Sequence, residues 1–222
     1  MFLFNEKKCA DICLKNTNKY VFKAVNDLIS DFERVSTFGV KPKIVKNVTQ
    51  NCIIIEENTR TSAEPVADES YSITTENGNI VIRADGYLGT MWGIYTLSEK
   101  FLDVDPCYLF NDLAIVKKNA VELSEVDIAD KPDGFGFRGV FINDEDLLQG
   151  WKDGGGARLV GGGYYYVTVA KTVIEKVVET VLRLKLNLVI PATFIDLDNP
   201  PEKDLADAVA ERGIYLSQHH CE

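Results

Sequence analysis

The chain has 222 residues, enough for one large domain or two small ones, and its 45% apolar and 26% charged residues are those of a soluble globular protein. A formal net charge of −10 at pH 7 argues against nucleic acid or an anionic membrane surface as the main partner, because both need a basic face. No run of eighteen apolar residues exists to span a membrane, and the opening MFLFNEKK is too short an apolar run for a signal peptide, so a cytoplasmic location is expected.

In chain order, ADICL reads as a short strand. The segment NKYVFKAVNDLISDFERV carries Val21, Phe22, Val25, Leu28, Ile29, Phe32 and Val35 at three- and four-residue steps, which predicts an amphipathic helix, with Asn16, Thr17 and Asn18 as candidate N-caps. PKIVK and CIIIEE are two more strands. Two alternating runs flank Asn77-Gly78 in SYSITTENGNIVIRA, a strong hairpin signal. Gly86 opens YLGTMWGIYTLSEKFL, apolar nearly all round and therefore expected as a buried helix, closed by Asp105-Pro106. AVELSEVDIADKPDG is acidic, weakly patterned and carries Pro132 and Gly134, so it reads as a linker. The expected division is an accessory α/β domain over 1–125 and a second unit over 126–222.

After the linker the rhythm becomes strand, helix, strand, helix, strand. FRGVFI is the first strand. TVIEKVVETVLRLKL is a helix with Val173, Ile174, Val177, Val178, Val181 and Leu182 on one side, and Lys171, Glu175, Lys176, Glu179 and Arg183 on the other. NLVIPA is the second strand, PEKDLADAVAERG a helix with Pro201 early and Gly213 at its C-cap, and IYLS the third strand. Strands separated by helices of this length imply a parallel sheet, and reactive groups gather at the carboxyl ends of such strands. Those ends read Asn143-Asp144-Glu145, then Pro191-Ala192-Thr193-Phe194, then Gln218-His219-His220-Cys221-Glu222, and they hold both histidines of the chain. Roughly ninety residues cannot close a (β/α)8 barrel, which needs about 250. The chain is therefore expected to be a piece of a longer protein.

Four blocks, in order over residues 86–222, resemble glycoside hydrolase family 115. FRGVFINDEDLLQGW is similar to the family signature RGIFINDE, VIEKVVETVLRLKLNLVIPATF to a helix followed by WPAMW, and ERGIYLSQHHCE to a strand ending in a His-His-Glu cluster. GYLGTMWGIYTLSEKFLDVDPCYLFNDLAI resembles the block preceding them. The resemblance implies an α/β fold: an N-terminal domain like the second domain of the β-hexosaminidases, then a (β/α)8 barrel, present here as an incomplete three strands. It implies removal of α-linked 4-O-methyl-glucuronic acid side groups from xylan with inversion, by a parent enzyme of which this piece alone is expected to be inactive. This chain departs from the family where Thr193 and Phe194 replace the end of WPAMW, and where Cys107, Leu109 and Phe110 replace tryptophans. Lost rings would change how a sugar stacks.

Inverting hydrolysis needs a carboxylic acid to protonate the leaving oxygen and a second carboxylate to activate water, about 6.5–9.5 Å away. Asp144 and Glu145 are the catalytic candidates. As neighbours at a strand end they point in divergent directions, so one would pair with a carboxylate elsewhere, and the structural alternative is an acidic turn capping a helix. Asn143, Trp151, His219, His220 and Glu222 are the substrate-binding candidates: a histidine pair can hold a carboxylate or pass protons, and a tryptophan can stack on a sugar. The loop GGGARLVGGG lacks the Gly-Lys-Ser/Thr of a phosphate loop and stands far from the helix it would serve, so nucleotide binding ranks lower. Five cysteines at scattered spacing form neither a disulfide framework nor a zinc site, and no metal or cofactor is expected. The expected partner is a glycan or oligosaccharide. A non-catalytic carbohydrate-binding or interaction module is the alternative, with self-association through an exposed sheet edge.

Overall fold

The computed structural model describes residues 1–58, 69–131, 135–143, 169–193 and 195–219. They form two compact units, Met1–Gly134 and Phe135–Glu222.

In the first unit a mixed sheet has six strands: β2 (Asp11–Lys15), β3 (Ile44–Val45), β4 (Cys52–Glu57), β5 (Tyr71–Glu76), β6 (Asn79–Ala84) and β8 (Asp127–Asp130). Their order is β3-β2-β4-β6-β5-β8. The first four neighbours run parallel, and β5 and β8 close the edge antiparallel. A separate ribbon pairs β1 (Phe2–Phe4) with β7 (Val121–Glu122). The expected hairpin is present: Glu76 faces Asn79 across a two-residue turn, with Asn77 at φ 51° and Gly78 at φ 75°, the left-handed pair of a type I′ turn.

Helix α1 (Val21–Val35) buries Val21, Val25, Leu28, Phe32 and Val35 of the predicted stripe, while Phe22 is exposed and Ile29 only partly covered. Its cap differs from expectation. Tyr20 stands at the N-cap without a side-chain bond; Asn18 instead turns the entry, its Oδ1 accepting the Tyr20 N–H at 3.2 Å. Helix α2 (Tyr87–Leu97) is buried along almost its whole length and lies on β4, β5 and β6, ending in a π-helical turn over Ser98–Leu102. A side chain at Gly93 would meet the Ile82 methyl at 2.6 Å, so that glycine lets the helix settle onto the sheet. Two polar bonds join the helices: Tyr95 Oη donates to Asp27 at 2.6 Å and Ser98 Oγ to Asp31 at 2.6 Å.

Residues 121–131 are not the linker their composition suggested. Val121–Glu122 and Asp127–Asp130 are strands, and β8 pairs with β5 from Tyr71↔Asp130 to Thr74↔Asp127. An edge strand needs apolar residues only on its inward side, so the acids at both ends of Asp127–Asp130 conceal it. The expected boundary at 125/126 would therefore cut β8 from the sheet that holds it.

The second unit is a three-stranded parallel sheet, order β11-β10-β9, from β9 (Gly139–Phe141), β10 (Leu188–Ile190) and β11 (Tyr215–Leu216). Helices α3 (Lys171–Arg183) and α4 (Pro200–Ala210) make the crossovers. Val140 and Val189 share one face, and Val189 is fully buried. The other face carries Phe137, Phe141, Leu188, Ile190 and Tyr215; among these Phe137 and Phe141 remain exposed. The charged side of α3 is not wholly solvated. Arg183 Nε donates to Glu179 at 2.9 Å, Arg212 Nη2 lies 3.9 Å from the same carboxylate, and all three side chains are largely buried.

Candidate functional site at the strand ends

The FRG of the first strand sets up the sheet from its amino end. A Cβ at Gly139 would sit 2.2 Å from the Leu188 carbonyl oxygen, so only glycine permits β9 to approach β10 there. Arg138 and Asn187 clamp the same end. The Arg138 N–H donates to Asn187 Oδ1 at 2.8 Å, Asn187 Nδ2 donates to the Gly136 carbonyl at 2.8 Å, and the Arg138 guanidinium reaches the carbonyls of Phe135 (2.6 Å) and Lys185 (3.2 Å). Asn187 is fully buried, and its own carbonyl accepts the Tyr215 N–H at 2.8 Å. One asparagine thus holds all three strands in register. These residues belong to the blocks quoted above, yet their work is structural and lies at the end away from the candidate chemistry.

At the carboxyl end, side chains stitch neighbouring strands together. The Ile142 N–H donates to the Ile190 carbonyl at 2.9 Å, and the Ser217 N–H to the Val189 carbonyl at 3.3 Å. Beyond these, Thr193 Oγ1 donates to the Asn143 carbonyl, and Gln218 Nε2 to the Ile195 carbonyl at 3.2 Å. The Phe141 and His219 rings stack with centroids 4.6 Å apart and planes 29° apart, spanning the middle strand. Asn143, Thr193 and His219 therefore share one rim. Of the predicted site residues, two are described: Asn143, whose carbonyl Thr193 binds, and His219, which stacks on Phe141. Asp144, Glu145, Trp151, His220 and Glu222 lie outside the described residues, as does the glycine-rich loop. Thr193, Gln218 and Phe141 are rim residues that the reading of motifs passed over. Their signal was position: each stands in the last residues of a strand or just beyond it.

The α3–α4 connection also holds a buried carboxylate. Glu202 accepts the Asp196 N–H at 2.5 Å and the Asn199 amide at 3.0 Å, which fixes the chain leaving Thr193. In the first unit, a cavity of about 590 Å³ is bordered by Tyr71, Arg83, Asp85 and Asp130. Its polar groups bind one another: Tyr71 Oη donates to Asp130 at 2.8 Å, Asn58 Nδ2 donates to Asp85 at 3.2 Å, and Arg83 pairs with Glu56 and Glu76. Among the described residues no three His, Cys, Asp or Glu side chains gather to hold a metal, and no helix is long and apolar enough to cross a membrane.

Residues 130–222 match the family described as Glycosyl hydrolase family 115. No curated protein matches the sequence. Among solved structures, a family 115 4-O-methyl-alpha-glucuronidase with specificity for decorated arabinogalactans is similar at a TM-score of 0.73 and 23% identity, covering 96% of this chain and 29% of that one. The Flavobacterium johnsoniae chitobiase gives 0.61 and 17%, with 97% of this chain and 31% of that one covered. The Streptomyces plicatus N-acetyl-beta-hexosaminidase gives 0.56 and 13%, with 94% and 41% covered. The shared property is the fold, and the chain spans less than half the length of each of these structures.

Proposed function

We infer, from the match of residues 130–222 to glycosyl hydrolase family 115, that this chain supplies an accessory α/β domain and the opening strands of a catalytic (β/α)8 barrel. The whole enzyme hydrolyses α-linked (4-O-methyl)glucuronic acid side groups from xylan-type glycans with inversion. The observation that carries this reading is the rim: three parallel strands end together, with the Asn143 carbonyl bound by Thr193 and Phe141 stacked on His219. The uncovered face of the sheet, with Phe137 and Phe141 exposed, supports a barrel whose remaining strands would bury it.

On this reading Asp144 or Glu145, next in sequence after Asn143, supplies one of the two carboxyl groups, and a strand outside this chain supplies the other. One protonates the glycosidic oxygen as the bond to the sugar carbon breaks, while the other removes a proton from the attacking water on the opposite face. His219 and His220 hold the uronate carboxylate, Asn143 and Glu222 bind sugar hydroxyls, and Trp151 is a stacking surface. Side chains carried at strand ends are held in fixed positions, which suits a reaction that depends on fixed carboxyl separation.

Turnover of aldouronic acids, with the released sugar followed by NMR, tests the reading. The longer protein is expected to release glucuronic acid as the inverted anomer, and Glu145→Gln or Asp144→Asn is expected to lower kcat about 10²–10⁴-fold. The 222-residue chain alone is expected to release none. Release by the short chain, or a retained anomer from the long one, overturns it. Binding without turnover in the longer protein would instead support a carbohydrate-binding module.

A further inference from the structure

A second concavity, of about 880 Å³, lies in the first unit at the amino ends of β2 and β4. Lys7, Lys8, Lys41 and Lys43 border it, and Asp11 is the one carboxylate among its described lining residues. In a chain of net charge −10, this grouping is a local reversal of sign. The sequence builds it by a tight turn. Asn5 Oδ1 accepts the N–H groups of Lys7 and Lys8 at 3.0 and 2.9 Å, so both lysines project from a fixed loop. Lys41 is tethered to Glu33 at 3.3 Å and Lys7 to Glu6 at 3.6 Å. Lys8 and Lys43 are exposed, and among the described residues neither has a carboxylate partner. Burial, and then the charge of Asp11, push the Cys9 thiol up to about 12, so it adds no negative charge to the lining.

The lining favours one class of anion. Thr49, Gln50 and Asn51 stand beside the lysines and offer groups suited to sugar hydroxyls. Phe2 is the one ring among the described lining residues, so there is no platform on which successive nucleobases could stack. The lysines set the sign of the ligand, because ammonium groups bind carboxylate or phosphate alike as point charges, and the hydroxyl-matching groups beside them favour an anion carried on a sugar.

We propose that this lysine-lined cleft is a second binding site, distinct from the strand-end rim, that holds an acidic, uronate-bearing oligosaccharide. The choice of a uronate over other anions rests on the family 115 reading. The site would keep an acidic glycan near the enzyme without taking part in its cleavage.

Calorimetric titration of the 222-residue chain tests this, using a glucuronic acid-substituted xylo-oligosaccharide, the unsubstituted oligosaccharide, inorganic phosphate and a DNA oligomer. The acidic oligosaccharide is expected to bind at least about tenfold more tightly than the neutral one, and to weaken as salt screens the lysines. Lys8→Glu with Lys43→Glu is expected to abolish that preference, and Lys8→Arg with Lys43→Arg to keep it. Circular dichroism of each variant checks that the fold persists. Equal affinity for the neutral sugar, undiminished binding by the double glutamate variant, or tighter binding of phosphate or DNA overturns the proposal. Turnover by the longer protein judges the catalytic reading separately, so either can fail alone.

Discussion

Gly139 shows how one position can govern a sheet. Replacing it with alanine would put a methyl carbon 2.2 Å from the Leu188 carbonyl oxygen, and strand backbone has little freedom to yield. Gly139→Ala is expected to destabilise the second unit by about 1–3 kcal/mol, read as a lower melting temperature and faster hydrogen exchange at the Ile142 amide. Unchanged exchange there would show that β9 accommodates the methyl. Two glutamates of the first unit should respond to pH with opposite sign. Burial raises the pKa of Glu57, whose carboxylate accepts the Asn18 N–H at 2.7 Å. A raised carboxyl favours folding below its unfolded value and loses that contribution as pH rises through the folded one. Hydrogen bonds from Arg83, and then from Thr74, hold Glu76 down at about 2, so its contribution is present above about pH 4.3 and lost as pH falls toward 2. Thermal melts should therefore show Glu57→Gln raising stability at neutral pH but not at acid pH, and Glu76→Gln lowering it at neutral pH while flattening the acid limb. At this scale the sequence was legible wherever identity dictates geometry, as at Asn77-Gly78. It was opaque where a tertiary neighbour decides, as with Gly139, Thr193 and the cap of α1.

Periodicity made the long elements plain. The stripe of α1, the apolar α2 and the alternation of strand and helix after residue 135 all appear where the pattern put them, because each buries a face that its sequence marks. Strands β1, β7 and β8 were not foreseen: β7 and β8 lie in an acidic stretch that hides their apolar residues, and Phe2–Phe4 was read only as a short apolar start. The charged side of α3 shows what periodicity alone does not tell. A charged stripe normally faces water, but Arg212 follows α4 and meets Glu179, so the pair Glu179–Arg183 is enclosed. Glu179→Ala would leave two largely buried guanidinium groups without this partner, at an expected cost of about 3–5 kcal/mol in chemical denaturation. A loss below about 1 kcal/mol would place the cluster among solvent-screened surface pairs.

The chain as a whole was legible to the level of an α/β protein whose second unit has three parallel strands. The acidic turn that opens the site reading follows Asn143 and lies outside the described residues, so sequence and family likeness carry its chemistry while the strands around it carry its position. The clamp of Arg138 and Asn187 bears on how such a scaffold can diversify. Strand alignment is set from the far end by bonds that ignore what happens after Ile142. A change beyond Asn143 leaves those bonds untouched, so the base of the sheet persists while its carboxyl rim is altered. A variant that keeps Asn187 thus keeps its strands aligned whatever is grafted onto the opposite end.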